Sequence, residues 1–389
     1  MNAGGAVVAE QASLAEAALW GCRLLLGRDP SGQEECERLI SLGSVERMRA
    51  CLLAERRAGQ GRCEQRPDRE SGLWSYRLIL GREAESAAVV AGLAALPSVA
   101  DGVDQMLASA EFGALPSPWK DVATRCGPLR VMGLPGDSYF ENAQQAAAEN
   151  NWLGAMAEAV AAVRGCAIEV VDVGANLGLA SLAMAPHASR LVAVEPNADI
   201  AALHAMNMRL NGAGHVTLDA RALSDAPGVV AFRRHHFAAG SHIVGRGAVP
   251  STGDVTVTTL DDVVEAHALT GLGLVKIDAE GFDPKVVAGG RRVFETQRPV
   301  VVLEFNSWAM MAFSDTYPRA FLEELIGEFP WVWSVSGDQR EPGSLQFRRL
   351  QQATVPEFLY ANMIHHGCVD DVIIAHDDAW LAAFRRLNH

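Results

Sequence analysis

Beyond residue 129 the chain alternates short apolar runs with stretches whose apolar residues recur at helical spacing. The runs fall at 168–173, 190–195, 215–219, 274–278, 299–304, 331–335 and 371–375. Helical patterns lie between several of them, among them 198–210 and 260–268. Alternation of this kind predicts a Rossmann-like α/β fold, a mostly parallel sheet of seven strands with helices on both faces. The interval from 219 to 274 is too long for one crossover, and 229–234 and 255–258 read as inserted strands.

The first third has a different pattern. Shifted by 54 residues, it falls on itself without a gap: Leu19-Trp20 over Leu73-Trp74, Arg23-Leu24 over Arg77-Leu78, Leu26-Gly27-Arg28 over Leu80-Gly81-Arg82. Each unit opens with a short amphipathic helix, breaks at Gly-Arg and adds two more helical stretches, so a small all-α domain of two packed units is expected. The expected boundaries are 1–114 for this domain, with units at about 14–60 and 68–114, a linker at 115–128, and an α/β domain at 129–389. Arg28 and Arg82 sit where a cation would cap a helix C-terminus, or could meet an acidic partner.

Chemistry concentrates at the strand ends of the second domain. The run 168–173 leads into Gly174-Ala-Asn-Leu-Gly178 and then a strong helix former. Strand, glycine turn and helix form the first unit of a nucleotide-binding fold, with backbone N–H groups at the helix start turned to the ligand. The acids Asp172, Glu195, Asp278 and Glu304 each fall at the carboxyl end of an expected strand, where ligands of open α/β sheets bind. Any one of them could be a helix cap or a solvated loop residue; four in one layer point to a site. Glu195 lies 17 residues past Gly178, close to the spacing of about 20 at which an acid takes a ribose hydroxyl pair.

Composition narrows the partners. A formal charge of −14 disfavours nucleic acid and anionic membrane surfaces, which need clustered Lys and Arg. Seven cysteines include no C-x-x-C pair, so zinc-site spacing is absent. No apolar run reaches the 18 or more residues of a spanning helix, and no signal peptide is visible, so a cytoplasmic protein is expected. Oligomeric state is not legible.

Five short motifs occur in order: Asp172-Val-Gly-Ala-Asn176 with Gly178, Glu195-Pro-Asn197, Ala222-Leu-Ser-Asp225, Thr259-Leu-Asp-Asp262 and Lys276-Ile-Asp-Ala-Glu-Gly281. Together, over about 137–304, they resemble the FkbM family of S-adenosylmethionine (SAM)-dependent methyltransferases. The resemblance implies a class I methyltransferase sheet, SAM as cofactor, and methyl transfer to a hydroxyl of a sugar, glycan or related metabolite. Asp172, Gly174, Asn176, Gly178, Glu195, Asn197, Asp219 and Ala222 are then the candidate cofactor residues, Asn176 either bonding the methionine carboxylate or tying down its own turn. The repeat segments, such as Tyr76-Arg-Leu-Ile-Leu-Gly-Arg82, are similar to a bacterial repeat of uncertain function often found on proteins handling surface glycans.

A hydroxyl must lose its proton as it attacks the methyl group, so a base is needed. Asp278 and Glu280 are candidates, with the competing reading that Glu280 pairs with Lys276 or caps the next helix. His242, from the group His235, His236 and His242, is the third. Asp278, Glu304 and Asn306 resemble the ligand set of magnesium-dependent catechol-type enzymes, but the residue types differ at the second ligand and no metal is expected. The alternatives are a nucleotide-binding oxidoreductase, disfavoured by the missing third glycine, and a non-catalytic glycan-associated binding protein.

Overall fold

The computed structural model describes residues 14–42, 44–57, 62–115, 117–134, 136–233, 242–243 and 253–388. Two compact units result: Met1–Lys120 with Met132–Pro135, and Asp121–Val131 with Gly136–His389.

In the first unit the internal repeat is visible in the helices themselves. Cys22–Leu26 and Tyr76–Leu80, Gln33–Ser41 and Ala87–Ala94, and Val45–Arg57 and Val99–Leu107 start at equivalent positions of the two units. Each opening helix ends in a wide turn at a glycine with positive φ, 72° at Gly27 and 69° at Gly81. Leu24, Leu25, Leu52, Leu78 and Ile79 are fully buried. Arg28 and Arg82 do not cap helix ends with their side chains. Arg28 grips Glu35 bidentately at 2.7 and 2.8 Å, and Arg82 pairs with Glu85 at 2.7 Å and with Glu111. A guanidinium fork matches a carboxylate better than a single carbonyl, and each unit supplies its own acid.

The segment read as a linker contains structure. β1 (Trp119–Thr124) and β2 (Gly127–Met132) form a two-stranded sheet. Its open backbone groups are met by amide side chains: Gln144 bonds both N–H and C=O of Ala123 at 2.9 and 3.0 Å, and Asn211 does the same for Arg130 at 2.9 Å each.

The second unit then runs β3 (Ile168–Val173), β4 (Ala188–Val194), β5 (Val216–Asp219), β6 (Ala222–Leu223), β7 (Gly228–Arg233), β8 (His242–Ile243), β9 (Gly253–Thr258), β10 (Leu272–Ile277), β11 (Val300–Asn306), β12 (Trp331–Ser336), β13 (Gln346–Arg349) and β14 (Val369–Ala375). The main sheet has eight strands in the order β13-β12-β14-β11-β10-β3-β4-β5, one more than the sequence pattern predicts. The addition is β13, a short edge strand antiparallel to β12. β5, β4, β3, β10 and β11 are mutually parallel, and β14 runs antiparallel between β11 and β12. Central strands buried on both faces explain the near-continuous Val, Ile and Leu runs. One face packs against helices carrying Leu260, Phe294, Phe321 and Phe358, the other against helices carrying Trp152, Met156, Trp380 and Phe384. The inserted strands form a separate four-stranded sheet, β6-β9-β7-β8. Among the described residues no single helix is long and apolar enough to cross a membrane.

The twin glycines give a paired prediction. A methyl at either pays for left-handed backbone, about 1–2 kcal/mol. At Gly27 it also meets the Arg62 backbone, whereas at Gly81 its nearest neighbour is the movable Arg49 Nη1 at 3.4 Å. Urea unfolding should show both Gly27→Ala and Gly81→Ala destabilised, Gly27→Ala clearly more. Equal midpoints would contradict the clash.

Candidate active site

A cavity of about 370 Å³ opens at the carboxyl ends of β3, β4, β10 and β11. Its floor is the turn after β3. A Cβ on Gly174 would strike the Asp278 carbonyl oxygen, so only glycine lets the ends of β3 and β10 close on each other. Asn176 adopts φ 49°, which asparagine tolerates, and its Oδ1 accepts the Leu177 N–H at 2.8 Å. The side chain therefore ties down its own turn. The Asn176 N–H is left to donate to Glu195 Oε2 at 3.0 Å, while Glu195 Oε1 accepts the Asn197 N–H at 2.8 Å. Burial pushes the Glu195 carboxyl up to about 7, against the pull of those two N–H groups.

Beneath this turn lies the one lysine of the cavity wall. Lys276 Nζ is 3.1 Å from Asp278 Oδ2, 3.6 Å from Asp172 Oδ1 and 3.2 Å from the Gly174 carbonyl oxygen. Burial opposes its charge, but the two carboxylates outweigh it and the ammonium titrates well above its ordinary range. Lys276 thus pairs with Asp172 and Asp278 rather than with Glu280. Nor does Glu280 cap the next helix: Asp283, at the first position of Asp283–Ala288, accepts the Ala279 and Gly281 N–H groups at 3.1 Å each.

Of the eight cofactor candidates, Gly174, Asn176, Glu195 and Ala222 line the cavity. The other four stand behind it. Asp172 is fully buried and accepts the Ser181 hydroxyl at 2.6 Å; that hydroxyl lies 3.2 Å from His204 Nε2. Gly178 packs against His204 and Met208 at the start of the helix Leu179–Met184. Asn197 caps the helix Ala198–Leu210 through the Asp199 N–H. Asp219 is held by Arg221 at 2.6 and 2.9 Å and by His267 at 3.1 Å.

Of the catalytic candidates, Asp278 and Glu280 face the cavity. Glu280 sits in left-handed backbone, φ 49°, and burial followed by Asp278 and Asp283 pushes its carboxyl up to about 8. The backbone of His242 pairs with Arg233, next to Ile243 and Phe232 of the cavity wall; His235 and His236 lie outside the described residues. Glu304 also lines the cavity, and burial raises its carboxyl well above the ordinary range.

Sequence spacing did not reveal Tyr139, Gln339 and Asp371, which complete the wall. Tyr139 follows Asp137, whose carboxylate caps a short helix by accepting the Tyr139 N–H at 2.8 Å. Burial pushes Asp371 up to about 7, although a bond from Gln339 opposes this. Asp371 stands in register with Glu304 across β11 and β14, a pairing that only the antiparallel strand order discloses. Among the described residues no group of three or more His, Cys, Asp or Glu has metal-ligand geometry.

Two outcomes follow. Lys276→Met strands two carboxylates and should cost about 3–5 kcal/mol in urea unfolding; an unchanged midpoint would show that the ammonium is dispensable. The second concerns pH. Glu195, Asp283 and Asp371 at about 7 and Glu280 at about 8 keep protons in the folded chain that the unfolded chain has released. Their contribution is complete at low pH and is lost as pH rises through 7–8. His204, pushed by burial from 6.5 to about 4, acts oppositely, but only between those values. Above pH 6.5 the acids act alone. Without added ligand, the urea midpoint should fall between pH 6.5 and 8.5, and fall less in Asp371→Asn; a flat profile would refute the assignment.

Residues 172–325 match the methyltransferase FkbM domain, starting later and ending further on than the motifs alone suggest. No curated protein matches the chain. Among solved structures, the FkbM methyltransferase of Methylobacillus flagellatus KT is 15% identical with a TM-score of 0.27; the match covers 39% of this chain and 39% of that one. Cofactor-bound Rv0187 from MTB is 15% identical over 63% of this chain and 93% of its own, TM-score 0.33. The O-methyltransferase from Bacillus cereus in complex with SAH is 13% identical over 62% and 92%, TM-score 0.31. Over residues 172–325, less than half of its length, the chain is similar to the methyltransferase FkbM domain.

Proposed function

We propose that the protein is a SAM-dependent O-methyltransferase that methylates a hydroxyl of a sugar, glycan or related metabolite. The observation that carries this reading is the pairing, in one cavity, of Glu195 on two backbone N–H groups with the proton-hungry Glu280. Glu195 keeps unused lone pairs to accept the two ribose hydroxyls, and Gly174 with Asn176 borders the methionine part. Ala222, Leu223, Phe232 and Ile243 supply an apolar wall suited to adenine. A sulfonium and an ammonium gain in a cavity that has many carboxylates and one lysine.

For the chemistry, Glu280 accepts the proton of the attacking hydroxyl. A carboxyl titrating near 8 is a far stronger base than an ordinary one, and at neutral pH the positive donor draws it toward the charged form. Asp278, fixed by Lys276, orients the hydroxyl. Asp172, Gly178, Asn197 and Asp219 support the site from behind, and His242 is kept as an alternative base. We assign no metal.

Calorimetry with SAM and with NAD tests the class: SAM binds and NAD does not, and the reverse would favour an oxidoreductase. Binding of neither would favour a non-catalytic protein. Glu195→Ala should weaken SAM binding by about 1.5–3 kcal/mol. Glu280→Gln should leave SAM affinity nearly intact and slow methyl transfer by about 10²–10⁴-fold; a rate within twofold would remove Glu280 from the base role.

A further inference from the structure

An exposed indole outside the cavity lining sits on a helix whose neighbouring residues reach the cavity wall. Trp308 is 58% exposed on the first turn of the helix Ser307–Phe313, directly after β11. Three contacts locate that turn. The Ser307 N–H donates to the Cys368 carbonyl at 2.9 Å, beside Val369, which lines the cavity and is itself 41% exposed. Gly281, next to Glu280, lies so close to Ala309 that a Cβ there would be 2.5 Å from the Ala309 carbonyl. Trp308 also packs edge to face on Phe313, 5.3 Å between centroids, and Phe313 packs on the cluster that holds Phe232 and Ile243 of the wall. The residues on either side of Trp308 thus touch the Glu280 loop and the segment before β14, and its own ring meets the apolar cluster through Phe313.

At about 370 Å³ the cavity is near the lower end of the 300–1,000 Å³ common for small-molecule sites. On the methyltransferase reading the donor would fill most of it, so an acceptor would insert its reacting hydroxyl and leave its bulk outside. The groups waiting inside, Glu280, Glu304 and Asp371, are carboxyls that bond hydroxyl donors. Outside waits a rigid indole that buries a large apolar face at low entropic cost. A ring with hydroxyls at its edge and C–H bonds on its face satisfies both.

Resting on the methyltransferase reading above, we infer that Trp308 is the acceptor platform: it stacks against the sugar ring next to the one being methylated, so the acceptor is an oligosaccharide end rather than a free monosaccharide. The probes are methyl glycosides of mono- and disaccharides, with catechol as a planar comparator, assayed by label transfer from SAM. Disaccharide glycosides should be methylated better than monosaccharides. Trp308→Ala should raise the disaccharide KM about tenfold or more, with kcat within twofold and SAM affinity by calorimetry unchanged; Trp308→Phe should recover most of the loss, and Tyr360→Ala, exposed on another helix, should change nothing. If SAM binds but KM ignores Trp308, or only catechol is methylated, or no saccharide is, the platform is overturned while the donor site stands. If the wild type does not bind SAM, the methyltransferase reading falls and the platform with it.

Discussion

The site depends on a single buried ammonium. Lys276 is the penultimate residue of the central strand β10, in register with Asp172 of β3, and its Nζ gathers Asp172, Asp278 and the Gly174 carbonyl. A carboxylate sealed in a parallel sheet, as Asp172 is, with a second one at the strand end beside it, would be costly alone, and one lysine between them makes both admissible. It also fixes geometry. Bonding the Gly174 carbonyl holds the turn after β3, the turn aims the Asn176 N–H, and that N–H holds Glu195 at the end of β4. Three adjacent strands are brought into one layer through a chain of four contacts.

The remaining acids have no such partner. Glu280, Glu304 and Asp371 share the cavity with Asp278, and each is raised first by burial and then by its neighbours. A fold selected for stability alone would place apolar residues there. Keeping them stores unfavourable electrostatics that a positively charged ligand relieves, the usual sign that a position serves function at the expense of stability.

Much of this was legible in the chain. Apolar runs marked seven strands of the main sheet because central parallel strands are buried on both faces, and the 54-residue shift marked the repeat because each unit repeats its helix breaks. β13 escaped because Gln346-Phe-Arg-Arg349 is an edge strand with one buried residue, and the β1–β2 pair because its polar backbone is satisfied by remote amides. Around the cavity, an acid near a strand end was a signal with an ambiguous depth. Glu195 and Asp278 lie just past the ends of β4 and β10 and face the cavity, whereas Asp172 lies one residue inside β3 and is sealed beneath it. A shift of two positions along the chain separates a ligand group from a support, and no composition rule resolves it. Asp371 and Tyr139 came from segments whose approach is set by topology alone.

The division between the two sides of the cavity follows from where their atoms come from. The turn after β3 and the ends of β4 and β10 contribute backbone groups and carboxylates fixed by the sheet, so they can move little without unfolding it. The opposite side is built from β8, the loop before Asp283, and Val369 and Asp371 of β14. Of these, β8 and the loop before Asp283 are an insertion and a connection that carry few sheet bonds and can change length or residue without disturbing Lys276. A donor that is the same in every turnover suits the rigid side, and an acceptor of particular shape suits the replaceable one. Selectivity for the acceptor is therefore expected in side chains such as Trp308, set on a helix whose Ala309 and Met310 are anchored in the core while the indole, resting on Phe313, stays exposed.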